Sequence, residues 1–239
     1  MVQERTPPER CVSCPVRAHG APFCWRDLQA QLALLGASGV VRRLAPGEIL
    51  YRQGDQADGW WIVRRGQVLE YMVDLAGREQ IIRLAPAGSV CGLCGLGSVA
   101  PHWAGARAGR RGADTCYVPR EEGRRLAEAS PAIVFALLAG MAEEIRFAYH
   151  KLHGLCMLPA RAAIAYILLS TTECTAEGRS VITLSRSEIA SMVGVAVETV
   201  VRILNEFRAR GLIEDTGHHQ IGLCDPCRLH AISEGLDSE

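Results

Sequence analysis

The most constraining feature of this sequence is the twenty-residue stretch from Arg186 to Asn205. Two helices that cross steeply need a small residue where they touch, a glycine in the turn between them, and apolar residues on the facing stripes. Ile189, Ala190, Val193, Gly194, Val195, Val200 and Ile203 fill all of those positions. Ser185 and Glu188 form a capping box that starts the first helix. The second is predicted from about Ala196 to Arg210, with Gly211 as its stop. Leu212 to Leu223 then reads as a two-stranded hairpin. A chance pair of amphipathic helices seldom combines all of these, so a winged helix-turn-helix is expected.

The second helix of this pair exposes Val197, Glu198, Val201, Arg202 and Asn205. Glu198 and Arg202 are four residues apart, so they share one face. An arginine there can donate two bonds to guanine, and a glutamate can accept from a cytosine amino group. Val197 and Val201 form an apolar ridge suited to a thymine methyl. On an isolated helix the charged pair would be an ordinary surface ion pair. Inside this motif, base reading is the better account.

Upstream, residues 131–157 carry the longest helical signal, opened by Ser130-Pro131. Val134, Leu138, Met141, Ile145, Ala148, Leu152 and Leu155 recur with alternating spacings of 4 and 3. Three heptads of apolar a and d positions make a coiled-coil seam for a partner helix. Ile133, Leu137 and Phe147 provide a second face for packing on the chain's own domain. A further helix is expected from Pro159 to about Thr171.

Between Val40 and Pro119 the pattern is of short apolar runs punctuated by glycine, among them Gly59–Val63, Gln67–Val73 and Glu79–Leu84. Strands at this spacing predict a β-barrel or jelly roll. Residues 1–27 show neither helical nor strand periodicity, so a metal or another outside agent is needed to order them.

Lys and Arg total 26 and Asp and Glu total 26, so no global basic field draws the chain to nucleic acid. Any such contact has to come from a local arrangement of side chains. The N-terminus has no apolar signal core, and the longest apolar stretch, Ala132 to Ala142, is too short to span a bilayer. No membrane association is expected, and the cytoplasm is the expected compartment. Ten cysteines in a reducing compartment point to metal binding or redox chemistry rather than a disulfide framework.

The combination of barrel, long helix and Val197-Glu-Thr-Val-Val-Arg-Ile-Leu204 resembles the Crp/Fnr family of transcription regulators, in its fumarate–nitrate reductase regulator branch. The resemblance covers nearly the whole chain. It implies an α+β fold: a cysteine-rich segment (1–27), a cupin-like β jelly-roll sensor domain (28–130), a dimerisation helix (131–157) and a C-terminal winged helix-turn-helix (158–239). It makes Val197, Glu198, Thr199, Val201 and Arg202 the DNA-binding residues. Glu198 and Arg202 match the pair that reads TGA-containing palindromic half-sites, while the position of Val201 is commonly serine in that branch. A homodimer and RNA polymerase are the implied partners. Oxygen-responsive members often carry an acid in the helix seam, at the position matched here by Ala148.

The same branch binds a [4Fe–4S] cluster through an N-terminal cysteine triplet and one cysteine after the barrel. The matching residues are Cys11, Cys14, Cys24 and Cys116. The interval between Cys14 and Cys24 is longer than the family pattern and contains His19, an alternative ligand. Zinc, a thiol switch, or haem served by His102 are competing sensing chemistries. Cys91-Gly-Leu-Cys94 and Cys224-Asp-Pro-Cys227 read as packing residues or surface thiols, since neither pair alone completes a tetrahedral site. Cys156 and Cys174 have no evident role. A cyclic-nucleotide effector is not expected, because Arg107 of the Gly88–Ala113 region sits in Ala-Gly-Ala-Arg-Ala without the nearby hydroxyl and acidic partners that a cyclic phosphate calls for.

A cysteine-based redox enzyme or electron carrier is the alternative from a different class. Redox Cys-x-x-Cys motifs sit near a βαβ unit, and none is visible. Phosphate-loop, Ser/His/Asp and His-Glu-x-x-His patterns are also missing. The enzyme reading leaves the helix-turn-helix pattern unexplained, so no catalytic residue is assigned.

Overall fold

The computed structural model describes residues 40–97, 100–174, 180–217 and 220–236. Cys11, Cys14 and Cys24 lie outside them. Eight strands occupy the first part: β1 (Val40–Leu44), β2 (Ile49–Tyr51), β3 (Gln56–Ala57), β4 (Gly59–Val73), β5 (Glu79–Pro86), β6 (Val90–Cys91), β7 (Ala100–Pro101) and β8 (Gly105–Pro119). The main sheet runs β1-β8-β4-β5, with β2 also on β8 and β6 also on β4, and every pairing is antiparallel. β3 and β7 form a separate pair.

Two runs expected as separate strands, Gly59–Val63 and Gln67–Val73, are one strand of 15 residues. Gly66 is the reason. It adopts φ +71°, and a β-carbon there would collide with the Gly112 carbonyl oxygen of β8. Register shifts flank it between Val63 and Arg65 and between Gly66 and Val68, so the strand bends without leaving the ladder. β8 is equally long, and its Ala, Gly and Arg composition hides the apolar alternation that marks strands elsewhere. Ala106, Ala108 and Ala113 nevertheless pack with Leu44, Leu50, Val63 and Val68 inside the barrel.

A second apolar layer lies between the barrel and two helices. After the single turn α1 (Cys94–Gly97) come α2 (Arg120–Ala129) and α3 (Pro131–Met157). Trp60, Ile62, Val90, Cys116 and Val118 pack there against Leu126 and Ile133. α3 has 27 residues and a first-turn proline, so it extends about 40 Å. Ile133 is buried and Leu137 and Phe147 are half-buried. The opposite stripe is open: Leu138 is 53%, Ile145 50% and Leu152 59% exposed, with Met141 and Ala148 also exposed. Val134 is half-buried, and the Leu155 side chain lies outside the described set. Among the described residues no helix is long and apolar enough to cross a membrane.

The C-terminal part comprises α4 (Ala160–Ser170), β9 (Glu173–Cys174), β10 (Ser180–Ile182), α5 (Arg186–Val193), α6 (Val197–Ala209), β11 (Ile213–Gly217), β12 (Gln220–Leu223) and α7 (Pro226–Ser233). Its sheet order is β11-β12-β10-β9. Ile164, Leu168, Ile189, Met192, Phe207 and Leu229 are in its core, and Leu69 and Ile81 of the barrel join the same cluster. Hydrogen bonds reinforce that docking. Ser191 Oγ accepts from Ile81 N at 2.8 Å and donates to Glu79 O at 2.9 Å, while Gln80 Nε2 donates to Ser191 O. Lys151 Nζ donates to the carbonyls of Ile81 and Ile82.

Candidate nucleic-acid interface

The two crossing helices are built from local chemistry. Ser185 Oγ accepts from Glu188 N at 3.1 Å, and Ser185 N donates to the Glu188 carboxylate at 2.6 Å, so both partners of the capping box are engaged. Gly194 ends α5 at φ 75° and ψ 33°, a left-handed conformation that glycine adopts without a steric penalty. Ala190, the small residue at the crossing, is buried. In α6, Val200, Ile203, Leu204 and Phe207 face the core.

Turned away from that core, Val197, Glu198, Val201, Arg202 and Asn205 are exposed and Thr199 is half-buried. The structure therefore presents the candidate base-reading side chains together on one solvent-facing stripe. The wing is tied to both helices through one carboxylate. Asp215 of β11 pairs with Arg186 at 3.2 Å and with Arg208 at 2.8 Å, fixing the hairpin relative to α5 and α6.

The barrel interior holds a charged network that the sequence reading missed. Glu70 and Arg83 are register partners on β4 and β5, joined at 2.8 Å. Tyr51 OH donates to the other Glu70 oxygen at 2.7 Å, and Arg83 also pairs with Glu144 of α3. Arg83 donates further to Val90 O at 2.6 Å. Burial works against the Arg83 charge, but Glu70, with Cys91 and Glu144, outweighs it and holds the guanidinium protonated. Burial pushes the Glu144 carboxyl up, with Arg83 opposing. The available signal was an ionisable residue inside each of two apolar runs, Val-Leu-Glu70 and Ile-Ile-Arg83.

Arg107 does have an acidic partner, which lies outside the span from Gly88 to Ala113. Glu79 of β5 pairs with it at 2.5 Å, and its guanidinium lies 4.9 Å from the Tyr71 ring centre. Both arginines are thus already engaged by carboxylates of this chain.

Of the four candidate cluster cysteines, only Cys116 is described. Its thiol is free and buried in the layer facing α2 and α3. Burial pushes its pKa up, and nearby Arg64 opposes the shift. Its register partner is Val41 of β1, so the chain arriving from the N-terminal cysteines joins the barrel beside it. Cys224 and Cys227 are free and exposed. No group of three or more potential metal ligands assembles among the described residues.

A barrel joined by one long helix to a winged helix-turn-helix with an exposed stripe on its second helix defines a class, that of DNA-binding transcription regulators with an appended β-barrel domain. The chain belongs to the Crp/Fnr family of these regulators. The Crp-like helix-turn-helix domain matches residues 162–232, and the cyclic nucleotide-binding domain matches residues 41–130. The chain is 31% identical to the transcriptional activator protein Anr of Pseudomonas protegens, over 94% of this chain and 93% of that protein. It is 29% identical to the cAMP-activated global transcriptional regulator CRP of Escherichia coli, over 70% of this chain and 82% of that one. Among solved structures, FixK2 from Bradyrhizobium japonicum is similar at a TM-score of 0.71 and 26% identity, covering 84% of this chain and 98% of that chain. Regulators of this family bind DNA and act as dimers.

Proposed function

We propose that this protein is a cytoplasmic, homodimeric transcription regulator that reads palindromic DNA with TGA-containing half-sites, engages RNA polymerase, and responds to a redox signal through a [4Fe–4S] cluster on Cys11, Cys14, Cys24 and Cys116. The observation that carries the DNA reading is the exposed stripe of α6. Glu198 and Arg202 stand one helical turn apart on it, backed by a fully buried opposite face. That spacing suits adjacent base pairs, with Arg202 addressing guanine and Glu198 a cytosine amino group.

The cluster reading fits the one donor described. Cys116 offers a free thiol beside the strand through which the N-terminal segment joins the barrel. Four thiolates are the donor set that such a cluster requires. When bound, the cluster supplies an oxidant-sensitive inorganic centre. As a ligand, Cys116 would tie that centre to the layer containing Leu126 and Ile133, and so to α2 and α3. Ligation also requires the thiol to lose its proton, so binding is proton-coupled.

Iron and sulfide analysis of anaerobically purified protein, alongside binding to a TGA-containing palindrome, tests both halves. About four irons and four sulfides per chain are expected, as that cluster type dictates. A metal-free protein that binds the palindrome tightly with or without oxygen would retain the DNA reading and remove the cluster.

A further inference from the structure

The turn Cys91-Gly-Leu-Cys94 is used neither by the DNA-reading stripe nor by the proposed cluster. Both thiols are free; Cys91 is fully buried and Cys94 is partly exposed. Cys94 Sγ lies 3.3 Å from Nδ1 of His102. His102 is itself held in place: it stacks on the Tyr51 ring at 3.8 Å between centroids and 12° between planes, and is 5% exposed. Gly92 closes the other side. A β-carbon at that left-handed glycine would stand 2.9 Å from His102 Cε1, so only glycine lets the imidazole settle against the turn. Cys91 belongs to the same apolar cluster as Tyr51, and its Sγ lies 3.7 Å from the Arg83 guanidinium.

A partly exposed thiol with a fixed imidazole at hydrogen-bond distance is the arrangement that raises cysteine reactivity. A second thiol three positions away supplies a means of resolving the product. We propose that Cys94 is a peroxide-oxidised thiol, with His102 as its proton acceptor and Cys91 as its resolving partner.

The step balances with hydrogen peroxide as oxidant. His102 Nδ1 takes the Cys94 proton, and the thiolate attacks one peroxide oxygen. The S–O bond forms, the O–O bond breaks, and the departing hydroxide recovers the proton from His102 as water. Cys94 is then a sulfenic acid. The Cys91 sulfur attacks it, the S–S bond forms, the S–O bond breaks, and hydroxide leaves with the Cys91 proton as a second water. Two thiols are oxidised by two electrons and one peroxide is reduced to two waters. Cys94 is the thiol that peroxide can reach first, because Cys91 is fully buried, and burial also pushes the Cys91 thiol pKa well up. The site is also close to the barrel network, because Tyr51 continues through Glu70 and Arg83 to Glu144 of α3.

Peptide mass analysis of the full-length protein tests the site directly, since trypsin releases Leu84–Arg107 with these two cysteines as its only thiols. After stoichiometric peroxide and alkylation, that peptide should lose two hydrogens and take up no label. Cys91→Ser should instead accumulate a sulfenic acid at Cys94 that a 1,3-dione traps. His102→Phe, which keeps an aromatic ring against Tyr51, should slow Cys94 alkylation at neutral pH about tenfold. Retained binding of DNA by each variant verifies folding. Full labelling of both thiols after peroxide would overturn the proposal, as would pairing of Cys94 with any other cysteine. An unchanged alkylation rate in His102→Phe would remove His102 as the proton acceptor.

Discussion

Arg83 of β5 and Glu144 of α3 form an ion pair within the protein, linking the barrel interior to the long helix. Arg83 simultaneously holds Glu70, and its own side chain is 12% exposed. Removing one partner of such a network leaves charge without compensation, which costs about 3–5 kcal/mol in comparable buried pairs. Arg83→Met is therefore expected to lower the urea midpoint by a corresponding amount. Replacing Arg83, Glu70 and Glu144 together with apolar residues should recover much of that loss. A triple variant less stable than Arg83→Met would show that the charges stabilise the fold beyond their mutual compensation.

The proposed recognition of DNA rests on the exposed stripe of α6. Arg202→Ala is expected to abolish specific binding with the dimer intact, because guanine readout contributes about 1–3 kcal/mol per half-site and both half-sites lose it. Glu198→Ala should relax preference at one base pair and leave the others. Fluorescence anisotropy on a TGA-containing palindrome and its single-base variants measures both. Unchanged affinity in Arg202→Ala would move the reading helix elsewhere.

The two halves of the chain were not equally legible in the sequence. The helix-turn-helix could be read because each of its elements is local: a cap at Ser185, a turn glycine at Gly194, and an apolar stripe running to Ile203. The barrel was legible only as strand-like runs. Its long strands depend on register across distant segments, as at Gly66 opposite Ala113, and β8 carries alanine where strands usually carry branched residues. The Glu70–Arg83–Glu144 network was hidden for the same reason. Its three members are brought together by strand pairing and helix docking, which no spacing along the chain encodes.

Lys151 is expected to make stability depend on pH. Burial lowers its pKa from 10.5 to about 8, so the folded protein releases this proton before the unfolded chain does. Between these values the unfolded state binds more protons, and stability rises with pH. Below about 8 both states are protonated and the burial penalty is fully present. A neutral amine still donates to Ile81 O and Ile82 O. Denaturation midpoints measured from pH 7.5 upward should show this rise, and Lys151→Met should flatten it. An unaltered slope in that variant would assign the effect to another group.

Cys116 tests the cluster ligand set. Cys116→Ser is expected to remove visible cluster absorbance from anaerobic protein, as are serine substitutions at Cys11, Cys14 and Cys24. Cys224→Ser and Cys227→Ser, at exposed positions after the wing, should leave the spectrum intact. A retained spectrum in Cys116→Ser would release this buried thiol to a packing role among Trp60, Ile62 and Leu126.

The seam of α3 bears on how a signal reaches DNA. Leu138, Met141, Ile145, Ala148 and Leu152 are exposed along one stripe of the helix, and the five are apolar. Burying these positions against a second copy contributes on the order of 10 kcal/mol across the two helices, enough to offset much of the cost of association. An acid in the seam would bring two like charges close together. At about 4 Å and an effective dielectric near 20 their repulsion is roughly 4 kcal/mol. Ala148 carries no such charge, so dimerisation should not wait for cluster binding. Light scattering at micromolar concentration is expected to give a dimer for both metal-free and cluster-loaded protein. On the proposed reading, the cluster would then act on helix disposition and DNA affinity rather than on oligomeric state. Ala148→Asp should convert the metal-free protein to monomer while leaving the apolar stripe otherwise intact. A monomeric metal-free wild-type chain that dimerises on cluster insertion would show that the seam alone is not sufficient.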